Sequence, residues 1–443
     1  MMANKKKFAA KNVTGWKATI AVAMANYIEA GSIIAAASSL TLWQAYLDID
    51  SIGVGLLSAL SANALGAAIG ALIGGPLTDK FGRKFIFSYD LLVYMIGVAL
   101  IAGSVNFPML LIGTVITGLA VGAGVPVSWT YIAEESPQDK RAAHVGTAQM
   151  AWSIGPAITF VLAVLVAPLG LLGSRLIFLH LLVIAFVAWY IRRGLDESKM
   201  WEEQQEKEKM EAAQGNIKKT NVVKELLTLM ANRQALFLLL GIYLFWNLTA
   251  GAMGYFMPYI YENVGGLSTA QANLLQAVLW LFTVLTTYFI FMKLGDKLSR
   301  KKIFSIGAGM GLIGWIVLTF MPMTWPTLII FVLLWGSAAG IGAQAFYALW
   351  TSELFPTRYR ASAQGLMYFL VRTGIAVWSF ILPLLMDTLG FTTAGIVMIV
   401  FLAIHMVIGI IMAPNTQGKT LQQIEKERYG NDLDHSNAYK KTV

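Results

Sequence analysis

Twelve apolar stretches, each close to twenty residues or longer, constrain the fold of this chain more than any other feature. A helix rises 1.5 Å per residue, so about 20 apolar residues cross the hydrocarbon core of a bilayer. Only 13% of the 443 residues are charged, against about 25% in soluble domains. Predicted spans 1 to 12 are residues 17–46, 53–77, 85–105, 109–132, 143–168, 175–193, 234–261, 270–293, 303–321, 326–350, 362–386 and 393–413. The chain is therefore predicted to be an all-α polytopic membrane protein with twelve transmembrane helices.

The basic residues are distributed unevenly between the two ends of the predicted spans. Of the 33 Lys and Arg, all but Arg175 and Arg372 lie in the N-terminal segment, at helix ends flanking alternate connections, or in the C-terminal tail. The opposite connections, which contain no basic residue, are 47–52, 105–109, 262–269, 322–326 and 387–393. By the positive-inside rule, this asymmetry places both termini in the cytoplasm and the chain in the cytoplasmic membrane. Topology thus explains the net charge of +9, and no nucleic-acid partner is expected.

The residues that usually carry metal or covalent chemistry are scarce. The chain has no cysteine and only four histidines, so we expect no disulfide, no bound metal and no cofactor. No nucleophile and base recur in a catalytic pattern, which argues against an enzyme. The basic residues 1–17 are like the start of a signal peptide. The apolar segment after them is too long for one, so we interpret it as an uncleaved first span.

A polar stretch separates span 6 from span 7. In ESKMWEEQQEKEKMEAAQGNIKKTN, residues 197–221, Glu and Lys alternate without an apolar helical stripe, which is typical of a solvated linker. The predicted organisation is an N-terminal six-helix bundle at 1–195, a cytoplasmic linker at 196–232, a C-terminal six-helix bundle at 233–415 and a cytoplasmic tail at 416–443.

Two motifs occur at the same place in each half. The segment GGPLTDKFGRKFIF at 74–87, after span 2, returns as FMKLGDKLSRKKIF at 291–304, after span 8, with an offset of 217 between the aspartates. The pattern Glu-x-x-Pro-x-x-x-Arg begins at Glu134 after span 4 and at Glu353 after span 10, an offset of 219. Two independent motifs at nearly one offset indicate a duplicated six-span unit. Parallel repeats of this kind build the fold of the major facilitator superfamily.

The loop sequences also resemble those of the sugar porter branch of that superfamily. GGPLTDKFGRK is similar to its signature loop between spans 2 and 3, and SWTYIAEESPQDKR and SELFPTRYRASAQG are similar to its loops after spans 4 and 10. DESKMW after span 6 resembles the branch's PESPRW, and PNTQGKTLQQIE after span 12 resembles its PETKGKSLEEIE ending. The ordered set covers nearly the whole chain. It implies two six-helix bundles and a bacterial carrier near the inositol and polyol carriers, with a small-molecule solute, protons and lipid as partners, acting as a monomer.

The loop motifs contain charges of both signs that could hold the two halves together. Asp79 can pair with Arg83 and cap a neighbouring helix end, and Arg141 could reach facing carboxylates. We therefore expect a conformational latch at the cytoplasmic face that closes while the binding site faces outward. The alternative is that the basic residues only set topology. The latch is predicted to consist of Gly75, Asp79, Arg83, Glu134, Arg141, Asp296, Arg300, Glu353 and Arg360.

Solute binding in this fold lies near the midplane between the halves. Gln149 matches a glutamine that contacts sugar hydroxyls in the family, but the second such position, seven residues later, is Pro156. The family's QQxxGxN pattern in span 7 reads FWNLTAG, and the PxxW pattern in span 10 reads AFYA. The fold prediction is therefore firmer than the sugar prediction. The candidate substrate-binding residues are Asn26, Tyr27, Gln149, Trp152, Asn247, Gln276, Trp280, Gln344 and Tyr347.

Two charged residues of opposite sign are predicted at the middle of spans. Glu29 is twelve residues beyond Lys17, about 18 Å along a helix. Arg372 is eleven residues beyond Ala361, at roughly 17 Å. A charge at mid-helix costs about 2.5–3.5 kcal/mol, so matching depth suggests mutual compensation. Glu29 also matches by position the acidic residue that proton symporters of the family titrate, while the family's span 4 arginine is here Thr114.

These charges leave three interpretations open. Glu29 and Arg372 can couple transport to protons, since burial and an intermittent arginine contact adjust a carboxyl's proton affinity. They can instead form a static ion pair that only fixes packing. Arg372 can also bind the carboxylate of an anionic solute bidentately.

The corresponding hypotheses for function begin with a proton-coupled carrier of a sugar or polyol that works by alternating access. The second is a proton-coupled carrier of a small organic or aromatic carboxylate anchored by Arg372. The third is a multidrug or metabolite exporter with a tryptophan-rich cavity. A non-transporting sensor has little support, since no signalling domain is appended.

Overall fold

The computed structural model describes residues 13–213 and 222–430, apart from 51–52, 54–55 and 58. The predictions for the basic segment at 1–12, the linker residues 214–221 and the tail residues 431–443 lie outside the described residues, as do a few positions at the start of span 2.

The described part of the chain is helical and contains no β-strand, and ten of its helices are long and apolar enough to cross a bilayer. Seven spans are uninterrupted α-helices. Spans 1, 3, 4, 5, 6, 7 and 9 are Gly15–Leu47, Arg83–Ala102, Phe107–Glu135, Arg141–Val166, Leu171–Arg192, Met230–Asn263 and Arg300–Phe320.

Two spans change their helical geometry partway. Span 8 is the α-helix Thr269–Thr286, continued by the π-helical segment Thr287–Met292. Span 10 is divided at Gly342 into Trp325–Ile341 and Ala343–Leu354. Such departures from α-helical geometry within a membrane are tolerated where protein surrounds the backbone.

Spans 2 and 11 are not counted among those ten helices, because the helix of span 2 is short and span 11 is continuous with span 12. The helix of span 2, Leu65–Phe81, has only 17 residues because a turn interrupts the chain at 60–64. Spans 11 and 12 share the helical segment Arg360–Met412, and only its second part, Thr388–Met412, is counted. At Gly390 φ is +80°, which glycine adopts readily and which bends the segment sharply. The predicted loop between spans 11 and 12 is therefore a kink, and the predicted twelve-span, all-α fold is confirmed.

Small residues and large apolar residues have separate roles in this packing. Spans 2 and 4 approach closely because glycines lie at the contact between them. A Cβ on Gly70 of span 2 would lie 2.2 Å from the carbonyl oxygen of Leu119 in span 4. Large side chains point away from the bundle instead, as in Leu165 and Ile411, which are 68% and 73% exposed. Helices in a membrane associate through such small-residue contacts, while their apolar outer surface faces lipid.

Spans 1–6 and spans 7–12 form two bundles that meet along two seams. Span 2 packs against span 11 along one seam, and span 5 packs against span 8 along the other. The short linker helices Lys199–Ala213 and Val222–Thr228 and the tail helix Leu421–Tyr429 lie at the end of the bundles where the latch motifs are. We call this the latch end. The space between the seams is where a solute site can form.

Candidate functional site

A cavity lies between the two bundles, where spans 1, 2 and 5 face spans 7, 8, 10 and 11. Its wall is largely apolar, with carboxamide and indole side chains placed within it. The carboxamides belong to Asn63, Gln149, Asn247, Gln276 and Gln344, and the indoles to Trp152, Trp246, Trp280 and Trp335. Among the described residues that line the cavity, Arg372 is the only charged one. The wall can therefore exchange hydrogen bonds with hydroxyl groups and pack indoles against the apolar face of a ring.

The structure places six of the nine candidate substrate residues on this wall. They are Gln149, Trp152, Asn247, Gln276, Trp280 and Gln344. The two spans that form one seam, 5 and 8, contribute four of them, because Gln149 and Trp152 are three residues apart and Gln276 and Trp280 four apart, which puts each pair on one helix face.

Asn26 does not line the cavity, in contrast to the prediction. It is fully buried between spans 1 and 4, where its Nδ2 donates to Ser128 Oγ at 3.1 Å and its Oδ1 accepts from Trp129 Nε1 at 2.8 Å. These bonds satisfy the amide within the N-terminal bundle. Asn26 therefore fixes the packing of two spans in this conformation.

Tyr27 and Tyr347 are also placed away from the cavity wall. The Tyr27 hydroxyl lies 2.9 Å from Nε2 of His180 on span 6, at the far side of span 1. Tyr347 is fully buried and stacks on Tyr243, with ring centroids 3.8 Å apart. The Tyr27 hydroxyl and the Tyr347 ring thus contact neighbouring spans, and neither side chain lines the cavity in this conformation, in contrast to the prediction.

Three buried polar atoms on the cavity residues have no hydrogen-bond partner among the residues that the structure describes. They are Gln149 Oε1, Trp152 Nε1 and Gln276 Nε2. The indoles of Trp152 and Trp280 meet across the seam between spans 5 and 8, with ring centroids 5.4 Å apart. Buried polar groups are normally paired. One acceptor and two donors beside an aromatic pair are therefore suited to a ligand that both donates and accepts.

Span 7 presents an aromatic wall where the resemblance implied glutamines. Trp246 stacks on Trp335 of span 10, with ring centroids 4.6 Å apart and planes 15° from parallel. Next to it, Asn247 Nδ2 donates to the Tyr243 carbonyl at 2.8 Å. The sequence departure in span 7 thus replaces hydrogen-bonding groups with a flat apolar surface.

Glu29 and Arg372 are in direct contact between the bundles. Arg372 Nη2 and the Tyr368 hydroxyl both donate to Glu29 Oε1. Glu29 is 1% exposed and Arg372 5% exposed. Opposite charges in contact reduce the free energy needed to keep each of them inside a membrane. Glu29 Oε2 is buried and has no hydrogen-bond partner in the described part of the chain, so it is the oxygen on which the carboxyl can accept a proton.

Two members of this centre were not predicted from the sequence. Tyr368 lies one helical turn before Arg372, a spacing that brings side chains together on one face. Asn63, in the turn that interrupts span 2, accepts from Arg372 Nη1 through its side-chain oxygen at 3.0 Å and its backbone oxygen at 3.2 Å. The four-residue spacing between Tyr368 and Arg372 could have identified Tyr368 from the sequence. The hydropathy pattern gives no indication that span 2 is interrupted at Asn63.

At the latch end, Glu134 of span 4 binds two arginines. Arg83 donates to it twice, from Nε at 3.0 Å and from Nη2 at 2.8 Å. Arg360, which belongs to the other bundle, donates from Nη1 at 2.6 Å. The bidentate geometry is the strong form of an arginine–carboxylate pair. One buried carboxylate therefore links both bundles.

Glu353 of span 10 occupies the equivalent place in the C-terminal bundle. Arg300 Nη1 donates to both of its oxygens at 2.8 Å. Arg141, from the N-terminal bundle, donates at 2.9 Å. The two clusters repeat the same pattern with the bundles exchanged, as the sequence repeat implies.

The aspartate of each motif binds the start of a helix in the opposite bundle. Asp79 accepts from the amide N–H groups of Ala361 at 3.2 Å and Ser362 at 2.7 Å. Asp296 accepts from the amide of Ala142 at 2.9 Å. A carboxylate at a helix N-terminus satisfies free N–H groups and interacts favourably with the helix dipole. Both cross-bundle contacts close the latch end in this structure.

The latch contains a carboxyl group whose protonation responds to opening. Burial raises the pKa of the Asp296 carboxyl, although the Ala142 amide and the Arg300 guanidinium act in the opposite direction. A closed latch therefore binds a proton at Asp296 more tightly than a state in which this carboxyl meets water. By linkage, Asp296 contributes stability to the closed state that is present at low pH and is lost as the pH rises through its raised pKa.

Gly75 lets spans 2 and 11 touch beside the Asp79 contact. A Cβ at this position would lie 2.6 Å from the Ala361 carbonyl oxygen and 2.9 Å from the Ser362 Cα. Both are backbone atoms, which cannot move aside as a flexible side chain does. Closure of the latch therefore depends on the absence of a side chain at Gly75.

Gly75→Ala is expected to open the latch end, because overpacking of this size costs about 1–3 kcal/mol. Since the chain has no cysteine, spin labels can be attached at Lys84→Cys on the N-terminal bundle and Lys301→Cys on the C-terminal bundle. Their distance distribution, measured by pulsed electron resonance, should shift to longer values. Gly309→Ala is the matched control, because a Cβ there meets nothing within 4 Å. An unchanged distribution in Gly75→Ala would contradict the role of this contact.

The comparisons with known proteins agree with this architecture. The family described as "Sugar (and other) transporter" matches residues 50–427. The minor myo-inositol transporter IolF of Bacillus subtilis (strain 168) is 48% identical over 414 residues, which cover 94% of each chain. The arabinose-proton symporter of the same organism is 26% identical, over 83% of this chain and 85% of the symporter.

Solved structures share the fold at lower sequence identity. The structure of the proton:xylose symporter XylE bound to 6-bromo-6-deoxy-D-glucose matches with a TM-score of 0.78 and 18% identity, covering 92% of this chain and 98% of that one. The protein is therefore a secondary transporter and not an enzyme, with membrane spans, an internal repeat and a central cavity. The chain belongs to the sugar transporter family, the sugar porter branch of the major facilitator superfamily.

Proposed function

We propose that this protein is a proton-coupled carrier of a neutral cyclic polyol or sugar across the cytoplasmic membrane. Its two bundles, residues 1–195 and 233–415, rock about the central cavity and give access to each side in turn. The linker 196–232 and the tail 416–443 then lie in the cytoplasm with both termini, so the latch faces the cytoplasm. The uneven distribution of basic residues supports this orientation. One chain contains both bundles and is sufficient as a monomer.

The observation that carries this proposal is the chemistry of the cavity wall. Five carboxamides and four indoles face it, and three of their polar atoms have no protein partner. A ring with several hydroxyl groups can pair with amides through both its donors and its acceptors, while its C–H face packs on indole. A linear polyol lacks the rigid face and loses more conformational entropy on binding. A cyclic solute therefore suits the site best, in keeping with the names of the inositol, arabinose and xylose carriers.

The charges of the cavity bear on the anionic alternative. Arg372 already contacts Glu29, Tyr368 and Asn63, so its charge is paired and both of its terminal nitrogens donate hydrogen bonds. A carboxylate solute would have to displace Glu29 from this position. The exporter alternative needs an apolar solute, and such a solute would leave the buried amide atoms of Gln149 and Gln276 unpaired.

Glu29 is the proposed site of proton coupling. With its carboxyl ionised, it attracts Arg372 and ties span 1 to span 11. When Oε2 accepts a proton from the outward-facing water, the carboxyl becomes neutral and the attraction to Arg372 weakens. After the bundles rock, the same proton leaves to the cytoplasm together with the solute. Both groups are thus carried in the same direction.

Transport assays with purified protein in vesicles test this proposal. We expect a thermal-shift screen of sugars, cyclic and linear polyols, organic acids and aromatic cations to single out cyclic polyols, because a ligand of the folded state raises its apparent stability. Uptake of labelled myo-inositol should then collapse when a protonophore is added. Stabilisation by organic acids alone, or uptake that ignores the protonophore, would overturn the proposal.

Gln149→Ala should raise the KM for the transported polyol about 5- to 100-fold, since a lost hydrogen bond at a buried site costs about 1–3 kcal/mol. Initial uptake rates against solute concentration give this value. Gln204→Ala is the control, because Gln204 lies on the linker helix and donates to Glu208. An unchanged KM in Gln149→Ala would remove span 5 from the binding site.

A further inference from the structure

Asn63 occupies an unusual place in the membrane domain. It lies in the turn at 60–64 that interrupts span 2, and it is only 8% exposed. The turn is packed against span 4, since a Cβ on Gly66 would lie 2.3 Å from the Leu60 carbonyl oxygen and 3.1 Å from the Cα of Gly118. Span 2 thus departs from helical geometry at this turn, and the polar residue there is held in place.

Asn63 holds the guanidinium of Arg372 on the side opposite Glu29. Its Oδ1 and its backbone oxygen both accept from Nη1, at 3.0 and 3.2 Å, while Nη2 donates to Glu29. Hydrogen bonds to a charged donor are stronger than those between neutral groups. An arginine of the C-terminal bundle is therefore bound to the N-terminal bundle at two places: the carboxylate of span 1 and the turn of span 2.

These two attachments differ in what can release them. Glu29 is titratable, and the charged or titratable groups that contact it among the described residues are Arg372 and Tyr368, both on span 11. Asn63 cannot titrate, but it lines the solute cavity, as Arg372 itself does. A hydroxyl donor of a bound solute can therefore compete with Arg372 for the side-chain oxygen of Asn63. A proton acts on one attachment and a solute on the other.

We propose that Asn63 is the positioning residue that makes proton movement depend on solute binding, an inference that rests on the proposed proton-coupled function. With a proton alone on Glu29, the side-chain oxygen of Asn63 still holds Arg372 and the bundles stay together. With both proton and solute bound, the carboxylate and the Asn63 side chain are released, and the one remaining bond to the Asn63 backbone oxygen does not keep the bundles from rocking. The empty, deprotonated carrier regains both attachments, which returns it to the latched state. Two ligands that act on one guanidinium are coupled reciprocally, typically by about 5- to 150-fold in affinity.

Vesicles that contain a trapped pH dye and the purified full chain test this inference, with myo-inositol as the probe. Wild type should acidify the lumen only when the probe is added to an inwardly directed proton gradient. Asn63→Ala should acidify it without the probe and accumulate less of the probe, because a proton alone then releases Arg372. Asn63→Asp keeps an acceptor and adds charge, so it should hold Arg372 more tightly, with slower uptake and no leak. A purely structural role would impair both variants alike.

Asn247→Ala is the matched control, since Asn247 is another carboxamide of the cavity wall that contacts Tyr243 instead of Arg372. It should raise the KM for the probe and leave the ratio of protons to solute unchanged. The inference is overturned if Asn63→Ala shows no leak and keeps the wild-type ratio, or if Asn247→Ala leaks as well. Should Asn63→Ala fail to fold, a leak in Asn63→Asp would equally contradict it. If the wild-type protein transports the probe without protons, the proposed proton-coupled function is wrong. This result comes from the wild-type protein alone and is therefore distinct from the comparison of variants that tests Asn63.

Discussion

Replacement of Glu29 by Gln is expected to abolish uphill accumulation of the solute while exchange of solute across the membrane continues. Gln is nearly isosteric, and its carbonyl oxygen can still accept from Arg372 and Tyr368, which both donate to Glu29 Oε1. It cannot bind or release a proton. A proton that moves down about 100 mV supplies about 2.3 kcal/mol, enough to concentrate a solute about fifty-fold. Without this contribution, the ratio of inner to outer solute should fall to about one.

The measurement is accumulation and counterflow of labelled solute in the same vesicles. Counterflow needs only binding and rocking, so its rate separates a lost proton from a damaged carrier. Glu29→Asp restores a titratable carboxyl on a shorter side chain and should recover part of the accumulation. If Glu29→Gln still concentrates the solute, Glu29 is not the coupling residue, and the contact with Arg372 is a static ion pair that fixes packing.

The two bundles are connected in two layers with different functions. At the latch end they are joined through charges that do not line the cavity, whereas Arg372 joins them at the cavity itself. Events at the cavity can therefore reach the latch only through rigid movement of the bundles. Span 11 provides that connection, because its first turn binds Asp79 and its middle presents Arg372. A rigid helix that is bound at both points moves as one body.

The fold could be predicted because its determinants are local in the sequence. Hydropathy identifies the spans, and the duplicated loop motifs give the halves and their charged latch. The contacts of Glu134 with Arg83 and Arg360 follow from charges that the two-fold repeat places opposite one another. What hydropathy could not resolve was backbone geometry. The stretch ALSANALGAAIG at 59–70 has the composition of a membrane helix, yet the turn within it positions Asn63.

The cavity residues were harder to predict, because helical periodicity shows that a residue is polar but not which neighbour it faces. Asn26 is three residues from Glu29, on a similar face of span 1, but its amide is taken up by Ser128 and Trp129 of span 4. Gln149 has no such neighbour and remains unpaired at its oxygen. The difference depends on the rotation of each helix in the assembled bundle, which tertiary packing decides.

Glu134→Gln should open the latch end, with the largest conformational effect of the changes considered. The carboxylate accepts from Arg83 and Arg360, and all three side chains are at most 1% exposed. Loss of its charge leaves the buried guanidinium of Arg360 without this carboxylate and Arg83 with only the more distant Asp79, at 3.7 Å, and breaking a buried ion pair costs about 3–5 kcal/mol. A shift of that size changes the ratio of open to closed latch about 150- to 5,000-fold.

A cysteine at Thr130 reports this opening, because Thr130 is fully buried one turn from Glu134 and bonds Gln364 of the other bundle at 2.9 Å. Its rate of labelling by a maleimide should rise about 100-fold or more in Glu134→Gln, while a cysteine at Ala250 on the cavity wall should label more slowly. Opposite changes at the two positions identify rocking of the bundles, since unfolding would expose both. Glu427→Gln is the control, because Glu427 pairs with Lys419 at the surface and its side chain is 57% exposed. Such an exposed pair contributes little stability. If Glu427→Gln raised the labelling rate at position 130 as much as Glu134→Gln does, burial of the latch charges would not be what holds the bundles closed.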